Sequence, residues 1–187
     1  TTGGGVGILV RKGFNVTRNE TLVFRSFEYI DVTLNSTSTG HLRVAVIYRP
    51  PPSTRNKLTP SIFFEEFSCL LEVLQSRSHR LLLTGDFNFH VDNPENVYAS
   101  TFLDLLSSAD LKNFVNVSTH KNNHTLDLII SQMDGTVTNV STCQTLPSDH
   151  YAVQCYLHLK PPPPQRETVR CRAIQNIDID PFLDDIV

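Results

Sequence analysis

Residues 80–83 (Arg-Leu-Leu-Leu) form a short, almost continuously apolar run that ends in Thr84-Gly85-Asp86-Phe87-Asn88. A strand without polar alternation has no face to give to water, so the pattern predicts burial on both sides. Such a strand needs one packed layer above it and another below, which restricts the chain to layered architectures.

The flanking segments supply those layers. Val6 to Val10, Thr21 to Phe24, Tyr29 to Leu34, Leu126 to Ile130 and Thr136 to Val140 read as strands. In His41 to Tyr48, Leu42, Val44, Val46 and Tyr48 share one face, and in Tyr151 to Leu159 every second residue is apolar. Arg49-Pro50-Pro51-Pro52 ends regular structure after the former. Thr59-Pro60 predicts an N-cap and first helical residue, followed by Phe63, Phe67, Leu70, Leu71 and Leu74 at helical spacing. Tyr98 to Ser107 predicts a second helix. Many strands broken by two helices favour layered α/β with a mixed sheet or two over regular βαβ winding. Lys160 and Pro161 to Pro164 mark a boundary, so residues 1–159 are expected to form one domain. Residues 160–187 then read as a linker and the start of a following segment, with an acidic helix near Pro181.

Bulk properties fit this organisation. A chain of 187 residues with 40% hydrophobic content is long enough for one sizeable core. At a net charge of −3, any DNA-binding face must be a local patch. Arg11, Lys12 and Arg49 either flank such a groove or are scattered solvated charges. Cys69, Cys143, Cys155 and Cys171 show no CxxC spacing, which argues against a zinc site of that kind. Cys69 and Cys155 read as core thiols. No apolar run approaches the roughly 18 residues that span a bilayer, and a glycine-rich start is unlike a signal peptide. The Asn-x-Ser/Thr sites at Asn15, Asn19, Asn35, Asn116, Asn123 and Asn139 read mostly as by-products of composition.

Four polar clusters could carry chemistry. Asp86 and Asn88, two apart at a strand end, present a carboxylate and an amide to one side; the plain alternative is an Asx turn. Ser148-Asp149-His150 precedes the last strand and suits metal or phosphate chemistry, or is a polar loop with a surface histidine. Asp127 lies inside an apolar strand, where a carboxylate needs a partner such as histidine, unless the strand is an edge and Asp127 faces water. Tyr48 ends a strand and could hydrogen-bond a phosphate, or is a rim aromatic.

Taken in chain order, Tyr48, Gly85-Asp86-Phe87-Asn88, Asp127 and Ser148-Asp149-His150 resemble the endonuclease/exonuclease/phosphatase superfamily. Gly3-Gly4-Gly5-Val6-Gly7-Ile8, Tyr48-Arg49-Pro50-Pro51 and His124-Thr125-Leu126-Asp127 are similar to its LINE-type branch, the endonuclease domain of non-LTR retrotransposons. The resemblance covers about residues 3–159, and Ile177-Asp178-Ile179-Asp180 with Phe182 resembles the stretch leading to the reverse transcriptase. It implies a four-layer αββα sandwich of two mixed β-sheets flanked by helices, incomplete at the N-terminus. It implies a Mg²⁺-dependent enzyme, with Mn²⁺ as an alternative ion, that nicks DNA. Asp86 would activate or orient the attacking water and Asn88 would hold it or the phosphate. Asp149 would lie at the metal, and His150, oriented by Asp127, would contact the scissile phosphate. Tyr48 would hydrogen-bond that phosphate, and Ser148 would support the loop. A downstream reverse transcriptase in a full-length protein and an intracellular, nuclear location follow, with no membrane partner.

The family's Asn and metal-binding Glu motifs precede the glycine-rich strand, whereas Glu20 and Glu28 follow it. The chain is therefore expected to lack its main metal carboxylate, and a catalytically inactive retrotransposon remnant or binding module is the alternative. An inositol phosphate or sphingomyelin substrate is a third reading. The five residues Asp86, Asn88, Asp127, Asp149 and His150 are expected on one rim between two sheets, with Asp127 in reach of His150.

Overall fold

The apolar run becomes an inner strand of a sheet covered on both faces. The computed structural model describes residues 5–19, 22–36, 40–53, 56–76, 80–145 and 147–159. In order, the elements are β1 (Asn15–Arg18), β2 (Glu28–Ser36), β3 (Gly40–Tyr48), α1 (Pro60–Ser76), β4 (Leu81–Asp86), α2 (Val97–Ser108), β5 (Lys112–Asn113), β6 (Asp127–Ser131), β7 (Val137–Cys143) and β8 (Ala152–Leu157). The main sheet has six strands in the order β1-β2-β3-β4-β6-β5, and β7 pairs with β8 in a second sheet. Only β3 and β4 run parallel, across the α1 crossover; the other pairs are antiparallel.

Alternation along the central strands sorts the core into two halves. Ala45 and Ile47 of β3, Leu81 and Leu83 of β4, and Leu128 and Ile130 of β6 pack with Phe63, Phe67, Leu70 and Leu74 of α1 and Phe102 and Leu106 of α2. Leu42, Val44, Leu82 and Ile129 point the other way, towards Val137, Val140, Val153, Cys155 and Leu157 of the second sheet. Burying one such large apolar side chain contributes roughly 1.5–3 kcal/mol. The expected α/β sandwich of two sheets is thus present. Among the described residues both helices cover one side only, and the second sheet is antiparallel rather than mixed.

Local signals account for the helices. The Thr59 hydroxyl accepts the Ile62 N–H at 3.4 Å ahead of Pro60. Asn96, not anticipated from the sequence, caps α2 by accepting the N–H groups of Tyr98 and Ala99. Cys69 is exposed, because the buried stripe of α1 runs through Phe67, Leu70 and Leu71 and leaves position 69 outside. The thiols of Cys69, Cys143 and Cys155 are free. Val6 to Val10 is not a strand: it has no ladder partner among the described residues, and Leu9 is fully exposed. Leu22 to Phe24 is likewise irregular. An apolar groove of about 280 Å³ opens between the sheets beside Ile8, Val32, Leu34, Val44, Leu82 and Leu157. The expected linker, acidic helix and Cys171 lie outside the described residues. Among those described, no helix is long and apolar enough to cross a membrane.

Gly85 sits where β4 leaves no room for a side chain beside β3. Its φ is +134°, and a Cβ built there would lie 1.9 Å from the carbonyl oxygen of Ile47 on β3. Backbone cannot yield as a flexible side chain does, so any larger residue would push β4 away from β3. We expect Gly85→Ala to cost about 3 kcal/mol or more in urea unfolding. A loss below about 0.5 kcal/mol would show that this contact does not set the strand spacing.

Candidate active site

Strand register builds the site. Tyr48 pairs with Asp86 across β3 and β4, and Asp86 pairs with Asp127 across β4 and β6. The three side chains lie in one row on the face that meets the second sheet, because Val44, Leu82 and Ile129 share their parity and pack there. Glu28 extends the row on β2, opposite Tyr48 and one strand further from Asp86. Sequence order alone set Glu28 aside; only register brings it to this end of the sheet.

His150 closes the row from the second sheet's side. It sits just before β8 and forms an isolated bridge with His120, with the Tyr151 N–H donating to the Thr119 carbonyl at 2.7 Å. Its Nδ1 is 2.9 Å from Asp127 Oδ2. With Nδ1–H given to that carboxylate, Nε2 is the nitrogen left to face a substrate. One ligand atom from each of Asp86, Asp127 and His150 lies within 4.8 Å of the other two. The structure therefore brings these three together, and Asp127 does not face water on an edge strand, since β6 runs between β4 and β5.

Asn88 belongs to the same group through Asp86. It adopts φ +50°, its backbone N–H donates to Asp86 Oδ1 at 3.0 Å, and its Nδ2 donates to Asp86 Oδ2 and to the Arg49 carbonyl, both at 2.8 Å. Its NH₂ group is already engaged, so it fixes the carboxylate's orientation. Asp149 stands apart: its side chain is 53% exposed, with Oδ2 at 3.6 Å from His120 Nε2. It shares a cluster with His120 and His150 rather than with Asp86. The Ser148 hydroxyl accepts the His150 N–H at 3.1 Å and so shapes the loop.

Two positioning residues escaped sequence reasoning. Thr119 is fully buried, and its hydroxyl accepts the N–H groups of Leu126 and Asp127 at 2.9 and 3.0 Å. A threonine in a polar loop gave no signal of this. Arg49, expected either at a DNA groove or among solvated charges, is 4% exposed. Its guanidinium lies 3.9 Å from the Phe89 ring centroid and donates to the carbonyls of Phe87 and Asn88. The prolines after it mimicked a surface turn. Arg11 lines the apolar groove with Leu34, Val44 and Leu82, at the strand ends away from Tyr48 and Asp86.

Charge is concentrated in this row. Burial, then the charge of Asp127, pushes the Asp86 carboxyl up to about 6, against the hydrogen bonds of Asn88 and the charge of His150. Burial works to lower the His150 imidazole, but the hydrogen bond and charge of Asp127, with Asp86 and Asp149, hold it above its ordinary value. Burial lowers Arg49 to about 10, opposed by the charge of Asp86. Two facing carboxylates that repel each other, with oxygen atoms converging, fit a hard divalent cation. Asp86 and Asp127 would hold it, with His150 beside them.

No protein-family model matches this chain, and no curated protein matches it. Solved structures do. The human nocturnin catalytic domain, solved with sulfate bound, aligns at a TM-score of 0.51 and 22% identity over 75% of this chain and 58% of that one. The Neisseria 3′ phosphatase NExo, solved with a product DNA hairpin, aligns at 0.53 and 15% identity, over 78% and 79%. An endonuclease/exonuclease/phosphatase protein from Beutenbergia cavernae aligns at 0.51 and 15%, over 70% and 39%. The fold is that of the endonuclease/exonuclease/phosphatase proteins. The chain spans little more than half the length of the nocturnin domain.

The raised groups set a pH dependence. A folded-state pKa above the unfolded one gives stability that is complete below the unfolded value and lost as pH rises through the folded one. Asp86 and His150 both behave this way. Asp92, Asp134 and Glu66 are lowered, so their contribution fades instead as pH falls through their folded values. Metal-free protein should therefore be most stable in weakly acidic solution, and its urea midpoint should fall between pH 5.5 and 7.5. In Asp86→Asn that fall should shrink, with a higher midpoint than wild type at pH 7.5. An unchanged profile would mean that Asp86 is not strained at neutral pH.

Proposed function

We propose that this chain is the phosphodiester-cleaving domain of a metal-dependent DNA endonuclease, which nicks target DNA for retrotransposition. The observation that supports it most is the in-register row Tyr48–Asp86–Asp127 closed by His150. The Asp86 carboxylate, fixed by Asn88, can orient an attacking water. His150, held by Asp127 and biased towards its charged form, can donate from Nε2 to a phosphate oxygen as negative charge builds there. Tyr48 can add a neutral donor to the same phosphate. A bound divalent ion would neutralise the phosphate's charge and polarise it. The row lies at an open strand end, whereas a cavity of about 740 Å³ elsewhere, lined by Leu103, Lys112, Asn113 and Met133, contains none of these residues.

The finer reading rests on the sequence resemblance. The glycine-rich opening and the Tyr48-Arg49-Pro50-Pro51 and His124-Thr125-Leu126-Asp127 segments support the LINE-type retrotransposon branch. With it come Mg²⁺, a 3′-hydroxyl product, nuclear action, and a reverse transcriptase beyond the Pro161–Pro164 stretch. Asp149 would act at the metal, reached through the His120–His150 side of the site.

One observation favours a second reading, a catalytically silent binding module. Among the described residues Asp86 and Asp127 are the only carboxylates in their group of three, with Asp149 exposed beyond His150. Relaxation of supercoiled plasmid decides between the two. Mg²⁺-dependent nicking that EDTA stops, reduced at least about 100-fold in Asp86→Asn and His150→Ala and about 10-fold in Tyr48→Phe, supports the enzyme. Nicking that survives Asp86→Asn contradicts the site assignment. No nicking, with Mg²⁺ still raising the melting temperature, supports the silent module.

A further inference from the structure

Three side chains outside the catalytic row are arranged as donors for a softer metal. His90 and Asp92 lie on the loop after β4, and His124 lies on the loop before β6. The His124 Nδ1 is 3.1 Å from Asp92 Oδ2, and the His90 and His124 rings meet edge-to-face with centroids 4.1 Å apart. One ligand atom from each of the three lies within 4.8 Å of the other two. We propose that His90, Asp92 and His124 form a Zn²⁺-type transition-metal site that clamps these two loops together.

The donor chemistry points to that class of ion. Two imidazoles and one carboxylate suit Zn²⁺ or Co²⁺, whereas a hard ion such as Mg²⁺ prefers oxygen. Donor atoms about 2.0–2.2 Å from zinc in a tetrahedron lie about 3.3–3.6 Å apart. The Nδ1–Oδ2 separation is already close to that spacing, so a metal can replace the bridging proton with little movement. The surroundings are prepared. Asp92 Oδ1 is fixed by the Thr125 N–H at 2.8 Å, which holds Oδ2 against His124, where an ion can take the place of the shared proton. The His124 carbonyl accepts the N–H groups of Thr119 and His120, which anchors the second loop. The His90 ring is hydrogen-bonded to nothing among the described residues and stacks edge-to-face with His124, so it is an uncommitted donor beside a committed pair. A fourth position would fall to water. The site does not depend on the nuclease reading, since it shares no side chain with Asp86, Asp127 and His150.

Chelator-treated, tag-free 187-residue chain titrated with Co²⁺ tests this directly. One equivalent should bind with visible d–d absorption that Zn²⁺ abolishes, and Zn²⁺ should raise the melting temperature by a few degrees. His90→Ala should weaken Co²⁺ binding on the order of 100-fold while its metal-free melt stays close to wild type, because the His90 side chain makes no hydrogen bond and its carbonyl bond to the Asn93 N–H is kept. His124→Ala should lose binding as well, and His158→Ala should not. Saturable binding that persists in His90→Ala, or that disappears in His120→Ala instead, overturns the assignment, as does the absence of saturable binding.

Discussion

The approach of Gly85 to the Ile47 carbonyl is the constraint on which the rest of the structure depends. Parallel pairing of β3 with β4 brings Tyr48 level with Asp86, and antiparallel pairing of β4 with β6 brings Asp86 level with Asp127. Because side chains alternate with period two, a slip of one residue would send Asp86 into the helix-facing core among Leu83 and Phe87. The position where no side chain fits between β3 and β4 therefore sits one residue before the site. The fold's register and its chemistry are one feature.

That register has an energetic consequence. It sets two carboxylates side by side in a half-buried rim, where the charge of Asp127 adds to burial in disfavouring ionisation of Asp86. The surroundings offset part of this: Asn88 supplies two hydrogen bonds to Asp86, and His150 supplies a cationic partner to Asp127. Arg49, over Phe63 and Phe89, pins the backbone that carries Asn88 and places a positive charge behind the row. The arrangement is a poor stability device and has the charge of a cation-binding site. Strain held at a site and compensated by its supports is common in proteins that bind ions or anions.

Much of this was legible in the sequence because its signals were local. The apolar run before Gly85, the Thr59-Pro60 cap and the alternation in His41 to Tyr48 each depend on neighbours within a few positions. The buried strand Leu81–Ile47–Leu128 layer follows from them. The pairing of Asp127 with His150 was inferable from the cost of a carboxylate in an apolar strand. What escaped needed three-dimensional register or context. Thr119 acts through its hydroxyl on a strand seven and eight residues away. Arg49 reads as a surface charge until Phe89 is seen beneath it. Val6 to Val10 has the pattern of a strand but no partner among the described residues, and pairing rather than pattern makes a strand. Cys69 is one helical position away from burial.

The central claim is that Asp86 and Asp127 form a repelling pair poised for a divalent ion. The most direct measurement is a carbon-detected NMR titration of the Asp86 carboxyl, with and without Mg²⁺. A midpoint of about 6 is expected in the metal-free chain, with a clear fall when Mg²⁺ is added. A midpoint near the ordinary aspartate value of about 4, unmoved by Mg²⁺, would contradict it.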